Sequence, residues 1–385
     1  MAISLQFPIP CGTTRVIVAP ERFLSAPATR ASSSAFIGMR GNIFGSFGSR
    51  LSTHLHIGTL SPEFKRSDIL TENITSSIIL TMVLSVLLGI IAKAVCIIFN
   101  FPSISLFDFV LISFIAGLIS SIVMLPITMF ISLKSFENGW DPDNITTPLI
   151  AAFGDFFTLP AIVAAIHIVQ FVTIVPIVEK ILFALVIIST VVALAAGYTS
   201  DKEIRNIVRQ STPVLFVCSI LGTLAGGILN GSITTLLKSQ TLLTLVPLFS
   251  GESGGLVSVL SARLSSGLHS GLIEAELKPG KVTLENFSIV LFLSLIMFQV
   301  IGFLAEASTT VLGNAGVNYL NAILISLIAG MIVVGVMLLI VFYISTISYR
   351  KGLDPDNIVI PLSTSLTDSI STLVLVVVSL IILAL

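Results

Sequence analysis

Two pairs of segments recur at one fixed spacing along the chain. Gly38–Gly58 reads GMRGNIFGSFGSRLSTHLHIG and Gly251–Gly271 reads GESGGLVSVLSARLSSGLHSG. Gly139–Asp155 reads GWDPDNITTPLIAAFGD and Gly352–Asp368 reads GLDPDNIVIPLSTSLTD. Both pairs are offset by 213 residues, and they agree at 8 of 21 and 9 of 17 positions. One offset kept across two separated motifs, with no net insertion between them, makes the chain two copies of one unit.

The units belong to a membrane. Of 385 residues 55% are hydrophobic and only 10% charged, with a mean hydropathy of +1.07, whereas a soluble domain carries about 25% charged residues. Apolar runs exceed the roughly 20 residues that cross a ~30 Å hydrocarbon core. Reading runs against polar breaks predicts ten crossings, near 32–55, 75–99, 105–133, 146–171, 177–198, 211–235, 241–266, 285–311, 317–347 and 358–384. The expected fold is therefore an all-α polytopic membrane protein. Net charge is -1, which gives no basic field for nucleic acid. Cys11, Cys96 and Cys218 are scattered, without disulfide or metal-ligand spacing.

Six crossings separate Asp141 from Asp354, an even number, so the copies run parallel about an axis along the membrane normal. A five-helix unit repeats in parallel only with an extra crossing, and Pro176–Tyr198, matched by nothing in either unit, is that connector. The domains expected are an atypical segment 1–30, a first unit 31–172, connector and linker 173–207, and a second unit 208–385. The second unit opens with the span Thr212–Gly231, whose counterpart falls at about residue 18 and earlier, where prolines and arginines leave no span. The first helix of unit one thus reads as missing or degenerate. Loops carrying Lys65, Arg66, Lys134, Lys202, Arg205, Arg209, Lys278, Lys281, Arg350 and Lys351 outweigh the opposite set, Lys180 and Lys238. That bias puts the first set in the cytoplasm, with the C-terminus outside a cell membrane.

Asp155 and Asp368 are the candidate metal ligands. Each lies 11 residues beyond an asparagine, Asn144 or Asn357, that reads as a helix cap, which puts it about 16 Å deep. A carboxylate there costs about 2.5–3.5 kcal/mol on an insertion scale. Parallel copies bring the two face to face across the axis, where like charges call for a cation or a shared proton. Oxygen ligands without His or Cys nearby suit Mg²⁺, which keeps most of its waters, ahead of Mn²⁺ or Co²⁺. The ion is cargo; no cofactor and no enzymatic reaction is expected. Further candidates for the pore or its vestibule are Gly41, Asn42, Glu252, Gly254 and Gly255, and the DPDN motifs Asp141, Asp143, Asn144 and Asp354, Asp356, Asn357. The motifs also read as turn and N-cap. Arg50, Arg263, His56 and His269 read as snorkelling anchors at the membrane interface.

These residues resemble the transmembrane domain of the MgtE magnesium transporter family, and the two-unit form is similar to its solute carrier family 41 branch. The likeness rests on RGN with SRLSTHLHIG in Arg40–Gly58, SARLSSGLHSG in Ser261–Gly271 and the two DPDN–P–D blocks, and covers roughly residues 30–385. It implies a five-helix unit working as a dimer, here pre-fused, with a pore on the pseudo-twofold axis. It also implies a hydrated Mg²⁺ held by the aspartate of the fifth helix, Asp155 and Asp368 by motif. Gly254–Gly255 departs from the Gly–Asn pattern kept at Gly41–Asn42, and the cytoplasmic Mg²⁺-sensing domains of the bacterial channel have no counterpart. Two other functions are weighed. An intramembrane aspartyl protease fits poorly, because AFGD at Ala152–Asp155 and SLTD at Ser365–Asp368 lack its GxGD and Tyr-Asp signatures. A secondary transporter of an organic solute needs several convergent polar contacts, and such groups are scarce at mid-membrane.

Overall fold

Inside hydrocarbon every backbone polar group needs an internal partner, and long apolar runs satisfy this as helices. The computed structural model describes residues 27–98, 104–172, 176–231, 236, 239–314 and 316–384. The sequence expectations for the segment before residue 27 lie outside the described residues. Ten long helices follow one another: α1 (Pro27–Ile57), α2 (Asp68–Ile98), α3 (Leu106–Glu137), α4 (Pro142–Val172), α5 (Pro176–Thr199), α6 (Lys202–Gly231), α7 (Gln240–His269), α8 (Lys281–Val311), α9 (Tyr319–Arg350) and α10 (Pro355–Ala384). They match the ten predicted crossings in order. The protein is an all-α, multi-pass membrane protein.

Nine of the ten helices are long and apolar enough to span a bilayer; α1 is not among them. Its glycines, serines, Arg40 and Arg50 are the reason, and its surroundings are the compensation. Phe44, Phe47 and Leu51 are fully buried, Ile43 is 1% exposed and even Arg40 only 1%. A helix enclosed by other helices need not present an apolar face to lipid. α1 packs against α4, α6, α10 and α2.

α6 begins nine residues before the predicted span. Ile204 and Val208, one turn apart, are buried and pack with Ile79 and Val83 of α2, so the expected polar linker is the first part of a long helix. That helix contacts α10 of the second half and both α1 and α2 of the first. The halves are further joined through α4 with α7, and α1 with α10.

Each half starts its last helix in the same way. α3 and α9 stop at Gly139 and Gly352, whose φ angles of 75° and 70° suit the left-handed residue that follows a helix end. The chain then turns into DPDN, where Asp141 accepts the Asp143 N–H and Asp354 the Asp356 N–H, each at 3.0 Å. The caps are therefore Asp141 and Asp354, with proline at the first helical position. Asn144 and Asn357, assigned that role from sequence, lie inside the first turn. Asp368 is then 14 residues from its cap, about 21 Å along the helix.

Candidate functional site

The middle of the molecule holds a small cavity of about 70 Å³, between α1 and α4 of one half and α7 and α10 of the other. Ile360, Thr364 and Asp368 line it from α10, four residues apart and so on one helix face. Thr147 and Ala151 line it from α4, Gly41 and Asn42 from α1, and Ser250, Gly251, Gly254 and Ser258 from α7. Ser250 donates to Asp368 Oδ1 at 3.1 Å. Asn42 donates to Ser365 Oγ at 2.8 Å and accepts from Thr364 Oγ1 at 2.6 Å. Missing side chains at Gly41 and Gly254 let the backbone approach the space; a Cβ on Gly254 would stand 3.9 Å from Asp368 Oδ1.

Of the residues singled out in the sequence, Gly41, Asn42, Gly254 and Asp368 thus border one cavity. Gly255 and Glu252 are not among its lining residues. The Asp155 side chain lies outside the described residues, and only its place on α4 is given.

Below the cavity, at the DPDN end, the two halves close on each other. Thr53 and Ser266, themselves 213 residues apart, stand 3.4 Å from one another. Residues with that offset that meet directly lie on the axis relating the halves. Around them Ser49 and Thr53 both donate to Asp356, at 2.7 Å each, and Ser52 donates to Asp143. This collar of hydroxyls and carboxylates brings the two halves into contact on the axis. Asp143 and Asp356 are 3% and 1% exposed, so they are internal partners of serine and threonine rather than open vestibule charges.

The outer part of the same end is a reciprocal latch. Arg50 donates through Nε to Asn73 at 2.6 Å and through Nη1 across the axis to Asn357 at 3.0 Å. Arg263 repeats this, to Asn286 at 2.6 Å and across to Asn144 at 2.9 Å. His56 lies 3.2 Å from Asp141 and His269 3.2 Å from Asp354. Burial alone would raise the Asp141 carboxyl, but the hydrogen bonds from His56 and the Asp143 backbone hold it below the usual range. These four basic residues are ties between and within the halves, not snorkelling anchors: each has a polar partner within reach, which an interface anchor would find in water. Their recurrence at the repeat offset was the signal that could have revealed them, and it applies equally to Asn73 and Asn286.

Comparison with known proteins returns the same periodicity. The family model MgtE, described as a divalent cation transporter, matches residues 33–165 and again 246–378, two segments displaced by 246 − 33 = 213 residues. The chain is 25% identical over 376 residues to solute carrier family 41 member 2 of Xenopus laevis, across 89% of this chain and 63% of that protein. The Homo sapiens member 2 is 26% identical over 375 residues, at 89% and 62%. Member 3 of Mus musculus is 25% identical over 369 residues, at 87% and 71%. The chain spans less than two thirds of the length of the member 2 proteins. No solved structure matches it significantly.

Proposed function

Because the chain belongs to the MgtE family of divalent cation transporters, we propose that it carries Mg²⁺ across the membrane along the axis between its two halves. Asp368, and Asp155 at the matching position of α4, are the mid-membrane ligands in this reading. The ion reaches them with most of its waters, because Mg²⁺ dehydrates reluctantly and is usually held by one or two carboxylates plus water. The observation that carries the reading is the central cavity in which the Asp368 carboxylate faces Gly41 and Asn42 of the other half. Ser250, Thr364 and Asn42 supply hydroxyl and amide groups to bond the ion's waters. The wall has no imidazole or thiol among its lining residues, a composition for a hard cation rather than a nitrogen- or sulfur-seeking one. The DPDN end is cytoplasmic on the loop-charge argument, and the collar is then the inner gate.

The test is flux into liposomes holding the purified chain, across Mg²⁺, Mn²⁺, Co²⁺ and Ca²⁺, with and without a Na⁺ gradient. Mg²⁺ entry that disappears in Asp368→Asn is expected. Full entry in that variant ends the reading, and a dependence on the Na⁺ gradient separates exchange from a channel.

A further inference from the structure

The buried carboxylates of the collar take part in a second arrangement that an axial route does not use. His56 Nε2 lies 3.2 Å from Asp141 Oδ1 and 3.6 Å from Asp143 Oδ2, and one donor atom from each of the three falls within 4.8 Å of the others. The second half repeats it: His269 Nε2 is 3.2 Å from Asp354 Oδ1, and with Asp356 the three donors again lie within 4.8 Å. Tetrahedral ligands at 2.0–2.2 Å from an ion stand about 3.4 Å apart. In the first triad the His–Asp spacings of 3.2 and 3.6 Å bracket that value; the other donors, within 4.8 Å, close in by at most about 1.4 Å to hold an ion.

Each triad has a fixed back and an open front. The buried Asp143 and Asp356 side chains are held at the collar, while the histidines and Asp141 and Asp354 keep 26–36% of their side-chain surface. The imidazoles are oriented edge-on by Phe136 at 5.9 Å and Tyr349 at 5.5 Å between centroids. Arg263 stands 3.7 Å from Asp141 Oδ2, which leaves Oδ1 to the triad. Halves that agree at only 8 of 21 and 9 of 17 motif positions retain all three donors in both.

We propose that the two triads bind divalent ions of the class that accepts imidazole nitrogen, such as Mn²⁺, Co²⁺ or Zn²⁺, one in each half and apart from the central cavity. Asp143 has Oδ2 toward His56 and Oδ1 on Ser52, whereas Asp356 has both oxygens on collar hydroxyls, so filling the second triad draws it off one of them. This second step rests on the axial route proposed above; the metal sites do not.

Co²⁺ titration of the purified full chain, with millimolar Mg²⁺ present to occupy oxygen sites, tests the binding. Two Co²⁺ per chain are expected, with the visible absorption of a four- or five-coordinate ion. His56→Gln and His269→Gln each weaken one site roughly tenfold or more, and Asp368→Asn keeps both. An octahedral aquo spectrum, or a double histidine variant that titrates like the parent, overturns the proposal. The unsubstituted chain gives an answer free of folding effects: bound Mn²⁺ carries a ¹⁴N coupling in electron spin echo spectra, and its absence overturns the sites. For the gate, micromolar Co²⁺ on the DPDN side alters Mg²⁺ flux in the parent and not in the double variant. An equal response in both removes the coupling. Flux that survives Asp368→Asn while Co²⁺ binding holds removes the axial route alone.

Discussion

At the DPDN end the two halves are near copies. Arg50 and Arg263 make the same pair of hydrogen bonds to within 0.1 Å, and the His56 and His269 contacts are equal at 3.2 Å. At mid-membrane they part. Arg40 answers to Ser253, Asn42 to Gly255, Ser85 to Phe298 and Ala151 to Thr364. The end holds matched pairs of contacts that cross the axis, Arg50 to Asn357 and Arg263 to Asn144, so a change in either half must suit both. In the middle the halves face a cavity. Cross contacts there such as Asn42 with Thr364 and Ser365 are not repeated by their counterparts, Gly255 with Ala151 and Ala152, so the walls can differ. The lining swaps rather than matches: α10 offers Thr364 where α4 offers Ala151, and α4 offers Thr147 where α10 offers Ile360.

The largest expected effect tests the α10 wall. Asp368→Asn should lower Mg²⁺ flux in liposomes at least about 100-fold, the upper end of what altered metal surroundings cost. Asp155→Asn should cost less, because Ser250, which donates to Asp368, answers to Ile37 in the first half. Equal losses would erase the functional side of the asymmetry and leave two equivalent ligands.

The latch predicts the next effect, in stability. Arg50 is 3% exposed, and Arg50→Met strands Asn73 and Asn357 without water, a loss of about 3 kcal/mol for hydrogen bonds to a buried charge. Arg263 keeps 29% of its side-chain surface, water replaces part of what it gave, and Arg263→Met should cost about 1 kcal/mol. Thermal unfolding in detergent reads both. The reverse order would mean that the two ends of the latch are unlike in a way their matched distances conceal.

How much of this was legible in the sequence follows the range of each interaction. The helices, their order and the doubled unit could be read because apolar length and a fixed offset are local or periodic signals. Gly41, Asn42, Gly254 and Asp368 were found because glycine and charge are out of place in an apolar helix. The reach of Arg50 to Asn357, 307 residues away, has no local trace, and an arginine at a helix end is ordinarily satisfied by water. Assigning the cap to Asn144 instead of Asp141 hid the asparagine's availability to Arg263. Glu252 was included because its charge stood near Gly251, but one helical step of 100° turns it from the cavity.

The halves can also be compared where helices touch. A Cβ on Gly89 would lie 2.7 Å from Val110 Cα, and one on Gly302 2.6 Å from Ile323 Cα, the same backbone crossing of α2 on α3 and α8 on α9. Gly89→Ala and Gly302→Ala should each cost about 2–3 kcal/mol, since neither backbone can yield without moving a helix. Gly117 and Gly330 are also matched, but a Cβ there meets Ser85 and Arg40 in one half and the ring of Phe298 in the other. The Ser85 hydroxyl, the nearest group, can rotate and the guanidinium behind it can swing aside, whereas a packed ring cannot, so Gly117→Ala should cost about 1 kcal/mol and Gly330→Ala about 2.

The smallest effect concerns Arg40 itself. Arg40 is 1% exposed; among the described residues its guanidinium reaches only Ser85 Oγ at 3.5 Å, with no hydrogen-bond partner there for Nε and Nη1. The second half fills the same place with Ser253 and Phe298 against Gly330. Ser85→Phe alone drives a ring into Arg40 and should destabilise. Paired with Arg40→Ser it rebuilds the other half's packing and removes a buried charge that no carboxylate among the described side chains balances. Replacing buried charge by well-packed apolar volume is often neutral or better, so the double variant should melt at or above the parent, by about 1 kcal/mol at most. A double variant less stable than Ser85→Phe would mean that the charge of Arg40 is held by a partner in the membrane interior, and that the two halves are less separable than their matched backbones imply.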